Sequence, residues 1–247
     1  MNTMETSTWR DPPPDLRLAD PDVHLWRASL LQPSERLEQF RATLSQDEAE
    51  RAGRFHFPSG RDGYIVGRGV LRMLLSRYLA VRARDIVLDY TPHGKPFLKA
   101  GVGPRVEFNL AHSGVLLVLA FSLGRRVGVD IERLRPDFAG QRIADRFFSP
   151  RESEALRALP KDQHERAFIR CWTQKEAYIK ARGEGLSFPL HDFDVTVDPN
   201  EPAALVSTQH DPQEVNRWTL RSLEVPVEYE GAVAVEGKGL RFFSYEL

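Results

Sequence analysis

Apolar residues recur every three or four positions in some segments of the chain and alternate, or run together, in others. Val23 to Trp26 reads as a short strand, and a helical segment begins near Ser34. Ser45-Gln46-Asp47-Glu48 is a capping box opening a second helix that reaches about Phe55. Pro58-Ser59-Gly60 breaks it, and a longer helix follows to Leu79. Its buried stripe is Val66, Val70, Leu71, Met73 and Leu74, with Arg61, Arg68 and Arg72 lying away from it. Ile86, Leu88 and Tyr90 alternate as a strand, and Thr91 to Gly94 is a turn. Val106 to Leu110, the fully apolar Val115 to Phe121, and Val127 to Glu132 are the next strands.

A similar order returns in the second half. Helices are predicted over Phe138 to Phe147 and Arg151 to Leu159, the latter opened by Ser149-Pro150-Arg151-Glu152 with proline at its first position. A long helix from about Gln163 stops at Gly183, a glycine placed to close it. Strands follow near Phe193 to Val197, Trp218 to Leu223, Tyr229 to Val235 and Leu240 to Tyr245. Helices then strands, twice over, predict an α+β fold of two pseudo-duplicated halves, residues 20–123 and 124–247. Each half is expected to be a small, mostly antiparallel sheet with packed helices, behind a flexible tail at residues 1–19. No residue-level repeat is visible. The active site is expected where the halves meet.

Two carboxylates sit badly with a strand. In Gly128-Val129-Asp130-Ile131-Glu132 side chains alternate, so Asp130 and Glu132 share a face. Acids are depleted in strands, and two on one face repel unless something positive lies between them. On the helix, Trp172, Lys175, Glu176 and Ile179 share a face and Lys180 lies at its margin. Three carboxylates with two lysines suit a divalent cation and a polyphosphate: magnesium takes a few carboxylate oxygens plus phosphate oxygens, and lysine supplies point charge. Singly, each motif has a plainer reading. A charged strand face keeps an edge soluble, and Glu176 with Lys180 is an i,i+4 pair worth about 0.2–0.5 kcal/mol.

Composition narrows the class. Hydrophobic content of 41% and charged content of 28% are ordinary for a globular protein. A net charge of −1 gives no global attraction to nucleic acid or acidic membrane, so any anion site must be built locally. The single cysteine, Cys171, excludes an internal disulfide, suits a reducing compartment and reads as a small core residue. No apolar run approaches the roughly 18 residues of a membrane helix. The N-terminus, with Pro12-Pro13-Pro14 and acids, has no secretory pattern. A cytoplasmic protein without membrane or nucleic-acid partners is expected.

Several motifs then converge. In order they are Gly67-Arg68-Gly69-Val70-Leu71-Arg72, Gly94-Lys95-Pro96, Phe108-Asn109-Leu110-Ala111-His112-Ser113, Gly128 to Glu132, Arg146-Phe147-Phe148-Ser149, Trp172 to Lys180, Gly183-x-Gly185-Leu186 and Pro189-Leu190. Across roughly residues 50–195 they resemble a 4′-phosphopantetheinyl transferase of the large, surfactin-synthetase-activating type, in the sub-group whose helix reads W-x-x-K-E-A. The resemblance implies holo-[acyl-carrier-protein] synthase activity: Mg2+-dependent transfer of the 4′-phosphopantetheine arm of coenzyme A to a serine of an apo acyl, peptidyl or polyketide carrier protein, with release of 3′,5′-ADP.

The resemblance also implies roles. Asp130, Glu132 and Glu176 would hold Mg2+, and Glu176 and Lys180 would be catalytic, with a metal-bound water competing with Glu176 as base. Lys95, Lys175, Lys180 and His112 would meet the phosphates of coenzyme A. Arg51, Arg54, Arg68 and Arg72 are candidates for the same anionic end, with Arg51, Arg68 and Arg72 taken as its set, since guanidinium offers a two-pronged fork. Trp172 would be a core anchor. Ala111 replaces the family's usual serine, which removes a hydroxyl expected near the phosphates. Basic and apolar residues between Arg142 and Phe148 are candidates for the carrier surface. One chain holding both halves would act as a monomer. A metal-dependent nucleotide phosphohydrolase using the same acids, and a non-catalytic carrier-binding module, stay open as alternatives.

Overall fold

The computed structural model describes residues 9–99, 105–134, 144, 146–185 and 188–247. In chain order, β1 (Asp22–Ser29), α1 (Ser34–Arg41), α2 (Gln46–Gly53) and α3 (Pro58–Leu79) precede β2 (Leu88–Tyr90), β3 (Pro96–Leu98), β4 (Val106–Ser113) and β5 (Leu116–Leu123). β6 (Val127–Arg133) leads into α4 (Pro150–Ala158), α5 (His164–Arg182), β7 (Phe193–Val195) and β8 (Leu205–Thr208). The chain ends with the short α6 (Glu214–Arg217), β9 (Trp218–Ser222), β10 (Tyr229–Glu236) and β11 (Arg241–Glu246).

Two sheets carry the fold. One has the order β11-β1-β5-β4 and the other β6-β10-β9, while β2-β3 and β7-β8 are small ribbons. Among these described strands all pairings are antiparallel except β1 with β11. The alternation of side chains sorts each sheet onto two cores. Trp26, Leu117, Leu119 and Phe121 face the Ile65, Val66, Leu71 and Leu74 stripe of α3. From the opposite faces, Val23, Leu25 and Ala120 meet Val127, Val129, Ile131 and Val233 between the two sheets. Ala232 and Ala234 of β10 face Phe168, Tyr178 and Ile179 of α5. The layer order is therefore α3, first sheet, second sheet, α5, and the even-numbered residues of β6 face α5.

The fold corrects four expectations. β11 pairs with β1, Trp26 opposite Tyr245, so the last strand of the second half completes the sheet of the first. Residues 9–19 are docked instead of loose: the Arg10 amide donates to Ser244 O, the Glu246 amide donates to Arg10 O, and Leu16 is buried. Residues 1–8 lie outside the described residues, as does most of the helix expected over Phe138 to Phe147. The short strands β3 and β8 escaped the sequence pattern. Arg68 and Arg72 are buried along with the apolar stripe of α3, because α1, α2 and the turn at 83–86 cover its other side.

Candidate active site

β6 is the edge strand of the second sheet and lies beside β4 of the first without a regular ladder between them. Gly128 decides how closely α5 can approach. A Cβ there would overlap the Ala177 carbonyl and the Ala181 amide, so only glycine lets the helix rest on the strand backbone. That contact brings the last turns of α5 over Asp130. Lys180 Nζ donates to Asp130 Oδ1 at 2.6 Å, while Asp130 Oδ2 is buried and has no hydrogen-bond partner. Burial lifts the Asp130 carboxyl to about 7; Lys180 opposes the shift, and Glu176 and Glu132 reinforce it. Glu176 is half-buried and likewise raised, first by desolvation, with Lys180 lowering it and Glu132 raising it. Glu132 accepts from Ser113 Oγ at 2.8 Å.

Glu132 and Glu176 both add to the upward shift of Asp130, and Glu132 to that of Glu176, which is excess negative charge that one lysine only partly offsets. Among the described residues, no group of three His, Cys, Asp or Glu side chains is drawn together tightly enough to hold a metal ion as it stands. The donor set still fits a hard divalent cation: oxygen ligands, one of them orphaned and buried, and an ammonium on Asp130 in the position of counter-charge.

Beside this cluster is a cavity of about 220 Å3, lined by His93, Gly94, Lys95, Pro96, Asn109, Leu110, Lys180, Gly183 and Gly185. The 91–95 turn that forms one wall closes through Thr91, whose carbonyl accepts from Gly94 N and whose hydroxyl accepts from Lys95 N. Gly94 and Gly183 both take left-handed conformations, at φ 80° and 81°, that other residues adopt at a cost. Gly183 N donates to Ile179 O and ends α5. His112 is exposed at the end of β4, its pKa lowered by desolvation and then by the Lys180 charge, so it is neutral near pH 7.

Several expected ligands are placed differently. Lys175 is fully buried, and its ammonium is consumed by Glu152 Oε2 at 2.8 Å, Leu190 O at 2.7 Å and Phe193 O at 2.6 Å. It cannot reach the cleft, because the half-exposed face of α5 is Trp172, Glu176 and Lys180, one helical step away. Arg72 is spent on Glu48 Oε2 at 2.5 Å and on the carbonyls of Ala83 and Ile86. Lys95 donates to Val127 O and to Lys180 O, tying the turn to β6 and to the end of α5, and burial lowers its pKa to about 8. Arg68 remains a candidate: its Nη1 is buried without a partner, and its guanidinium lies 5.5 Å from both the Tyr64 and Tyr90 rings. Arg51 is exposed and covers Tyr64.

Trp172 is half-buried, stacking on Phe168 and edge-on to Phe147. Phe148 is core, stacked on Phe168, so the proposed carrier surface loses that residue, and 142–143 and 145 lie outside the described residues. Cys171 is buried, with its thiol pKa raised. Ala111 joins the apolar core between the sheets, so a hydroxyl there would not face the cavity. The sequence reading missed Asn109 and Ser113. Both are polar and sit four residues apart on a buried strand face, and that placement was the available signal.

Comparison with known proteins finds similarity along most of the chain. Residues 126–235 match the 4′-phosphopantetheinyl transferase superfamily, and residues 26–123 match the N-terminal region of 4′-phosphopantetheinyl transferases. The 4′-phosphopantetheinyl transferase HetI of Nostoc sp. is 42% identical over 237 residues, covering 94% of this chain and 95% of its own. The 4′-phosphopantetheinyl transferase Sfp of Bacillus subtilis is 30% identical over 197 residues, covering 79% and 84%. The chain belongs to the 4′-phosphopantetheinyl transferase superfamily and is an enzyme of that class.

Proposed function

We propose that this enzyme moves the 4′-phosphopantetheine arm of coenzyme A onto a serine hydroxyl of an apo carrier protein, releasing 3′,5′-ADP, with Mg2+ as the metal. It would act in the cytoplasm as a monomer, since both halves of its one site come from a single chain. The observation that carries this reading is Asp130, which is buried with one oxygen on Lys180 and the other unpartnered, and flanked in charge by Glu132 and Glu176. Among the described residues no helix is long and apolar enough to cross a membrane.

Asp130, Glu132 and Glu176 would hold the cation, which when bound would orient the pyrophosphate and offset charge on the leaving phosphate. The protein's own groups do the rest. The serine oxygen forms its bond to the pantetheine-bearing phosphorus as the phosphorus–oxygen bond to the nucleotide breaks, its electron pair departing on 3′,5′-ADP. Glu176 is the group proposed to accept the serine proton, a role that a bound cation would weaken by lowering the carboxylate's proton affinity. Lys180 exchanges between Asp130 and the pyrophosphate as a mobile point charge. His112 donates from a neutral ring, and Arg68 with Arg51 offers forked donors to the 3′-phosphate. Lys175 and Arg72 take no direct part. Positioning and charge, more than covalent catalysis, carry such displacements.

The test is incubation of the purified protein with coenzyme A and a panel of apo carriers, read by mass spectrometry. Gain of one phosphopantetheine arm, dependent on the carrier serine and abolished by a chelator, is the expected result. Hydrolysis of coenzyme A without a carrier would identify a phosphohydrolase instead.

A further inference from the structure

β4 and β6 belong to different sheets, yet two β4 side chains take the place of ladder partners. Asn109 Oδ1 accepts from the Val129 amide at 2.9 Å, and Ser113 Oγ accepts from the Arg133 amide at 3.0 Å. The spacing is four residues on both strands, so the two bonds lie on one seam with Ala111 between them. Both donors' partners are buried, at 5% and 6% exposure. The Ser113 hydroxyl then spends its own proton on Glu132 Oε2 at 2.8 Å. A single oxygen thus grips the backbone of β6 and the carboxylate of the preceding residue.

Glu132 needs holding. Its register partner across β10 is Glu230, which is engaged by Arg166, and Asp130 and Glu176 repel it from the same face. Left alone, a glutamate there would swing toward solvent, away from like charges. We propose that Ser113 is the positioning residue for Glu132, and that through it the N-terminal half sets the aim of an acid supplied by the C-terminal half. The proposal rests on the reading of Glu132 as a cation ligand. Outer partners that orient a ligating carboxylate commonly change metal affinity by 10- to 100-fold when removed.

The test uses the full-length protein with coenzyme A and Mn2+ as a paramagnetic probe, free Mn2+ being read by its resonance signal. Ser113→Ala should weaken Mn2+ binding by about 10-fold or more, and Ser113→Thr, which keeps the hydroxyl, should restore most of it. Ser122→Ala, removing an equally buried hydroxyl that serves only the Arg125 carbonyl, should leave binding as in the wild type. KM for the carrier should stay constant in Ser113→Ala while the Mn2+ requirement rises. A Ser113→Ala protein that loses stability yet binds Mn2+ like the wild type would reduce Ser113 to a seam and overturn the proposal. Absence of wild-type Mn2+ binding would overturn it too, by removing Glu132's role. Failure of transfer to every carrier with Mn2+ binding intact and Ser113-dependent would instead strike at the transferase reading alone.

Discussion

Each half buries a glutamate beneath its long helix, and the two arrangements correspond residue by residue. In the first half Glu48 is the third helical residue of the Ser45 capping box on α2; it binds Arg72 of α3, which also bonds the carbonyls of Ala83 and Ile86 beyond that helix. In the second half Glu152 is the third residue of the Ser149 capping box on α4; it binds Lys175 of α5, which also bonds the carbonyls of Leu190 and Phe193. Both glutamates are 1% exposed. The pseudo-duplication expected from element order therefore has a residue-level trace that a linear scan for repeats does not find. The halves differ one position further on. Where α3 continues with Met73 and Arg77, α5 continues with Glu176 and Lys180, and the strand under it supplies Gly128 and Asp130. The carboxylate and lysine cluster proposed as the site sits on the cleft face of one copy only, over a clasp that both copies keep.

The hardest test of this comparison is Lys175. If it is the counterpart of Arg72, Lys175→Met removes the cation buried against Glu152 and the donor to two buried carbonyls, and should cost about 3–5 kcal/mol in urea unfolding. Arg72→Met should cost a similar amount, and the double change Glu152→Gln with Lys175→Met should be milder than Lys175→Met alone. A Lys175→Met protein of full stability with only a raised KM for coenzyme A would return Lys175 to the phosphates and break the correspondence.

Lys180, five residues on, should behave oppositely. Lys180→Met removes a half-exposed cation from Asp130, whose raised pKa lets it take up a proton instead. Turnover should fall by about 10²–10³-fold with an unfolding midpoint close to that of the wild type. Equal losses of stability in the two lysine variants would erase the distinction between clasp and site.

These two lysines also mark what could be read from the sequence. The acidic strand, the long helix and its glycine stop were all legible, because alternation, helical spacing and cap chemistry are local. The burial of Lys175 was not, since α5 is covered on most of its circumference and spacing alone does not say which of two adjacent faces meets solvent. Arg68 and Arg72 were misjudged for the same reason: an arginine paired with a buried acid reads in sequence like a solvated one. β11 beside β1 joins residues more than 200 apart, beyond the reach of any periodicity. Ser113 and Asn109 were visible as letters, but their bonds exist only because two sheets diverge there.

Gly128 asks whether the cleft depends on how closely helix and strand approach. Gly128→Ala pushes a methyl into the Ala177 carbonyl and must lift α5 from β6. A shift of that kind between catalytic groups should cost about 100-fold in kcat/KM, with a smaller loss of stability, measured by turnover and chemical unfolding together. Near-wild-type turnover would mean that Asp130 and Lys180 need not be held at their present spacing.

The smallest effect separates the halves by their response to acid. His24 of β1 is buried on the α3 side, its Nδ1 2.9 Å from the Tyr78 hydroxyl, which also accepts from Trp26 Nε1. Desolvation lowers its pKa to about 4; Asp22 opposes the shift and Arg10 reinforces it. A folded-state value below the unfolded one means that the unfolded chain binds the extra proton first. The stability due to neutral His24 is complete above about pH 6.5 and drains away as pH falls toward 4, by about 1 kcal/mol between pH 7 and pH 5.5. The buried acids of the second half, Glu152, Glu176 and Glu230, are all shifted upward by burial, so acid relieves them instead of costing them. His24→Asn, which keeps an acceptor but cannot titrate, should therefore flatten the acid-side fall in the urea midpoint and leave the second half's contribution intact. An unchanged pH slope in that variant would assign the acid sensitivity elsewhere and remove this difference between the halves.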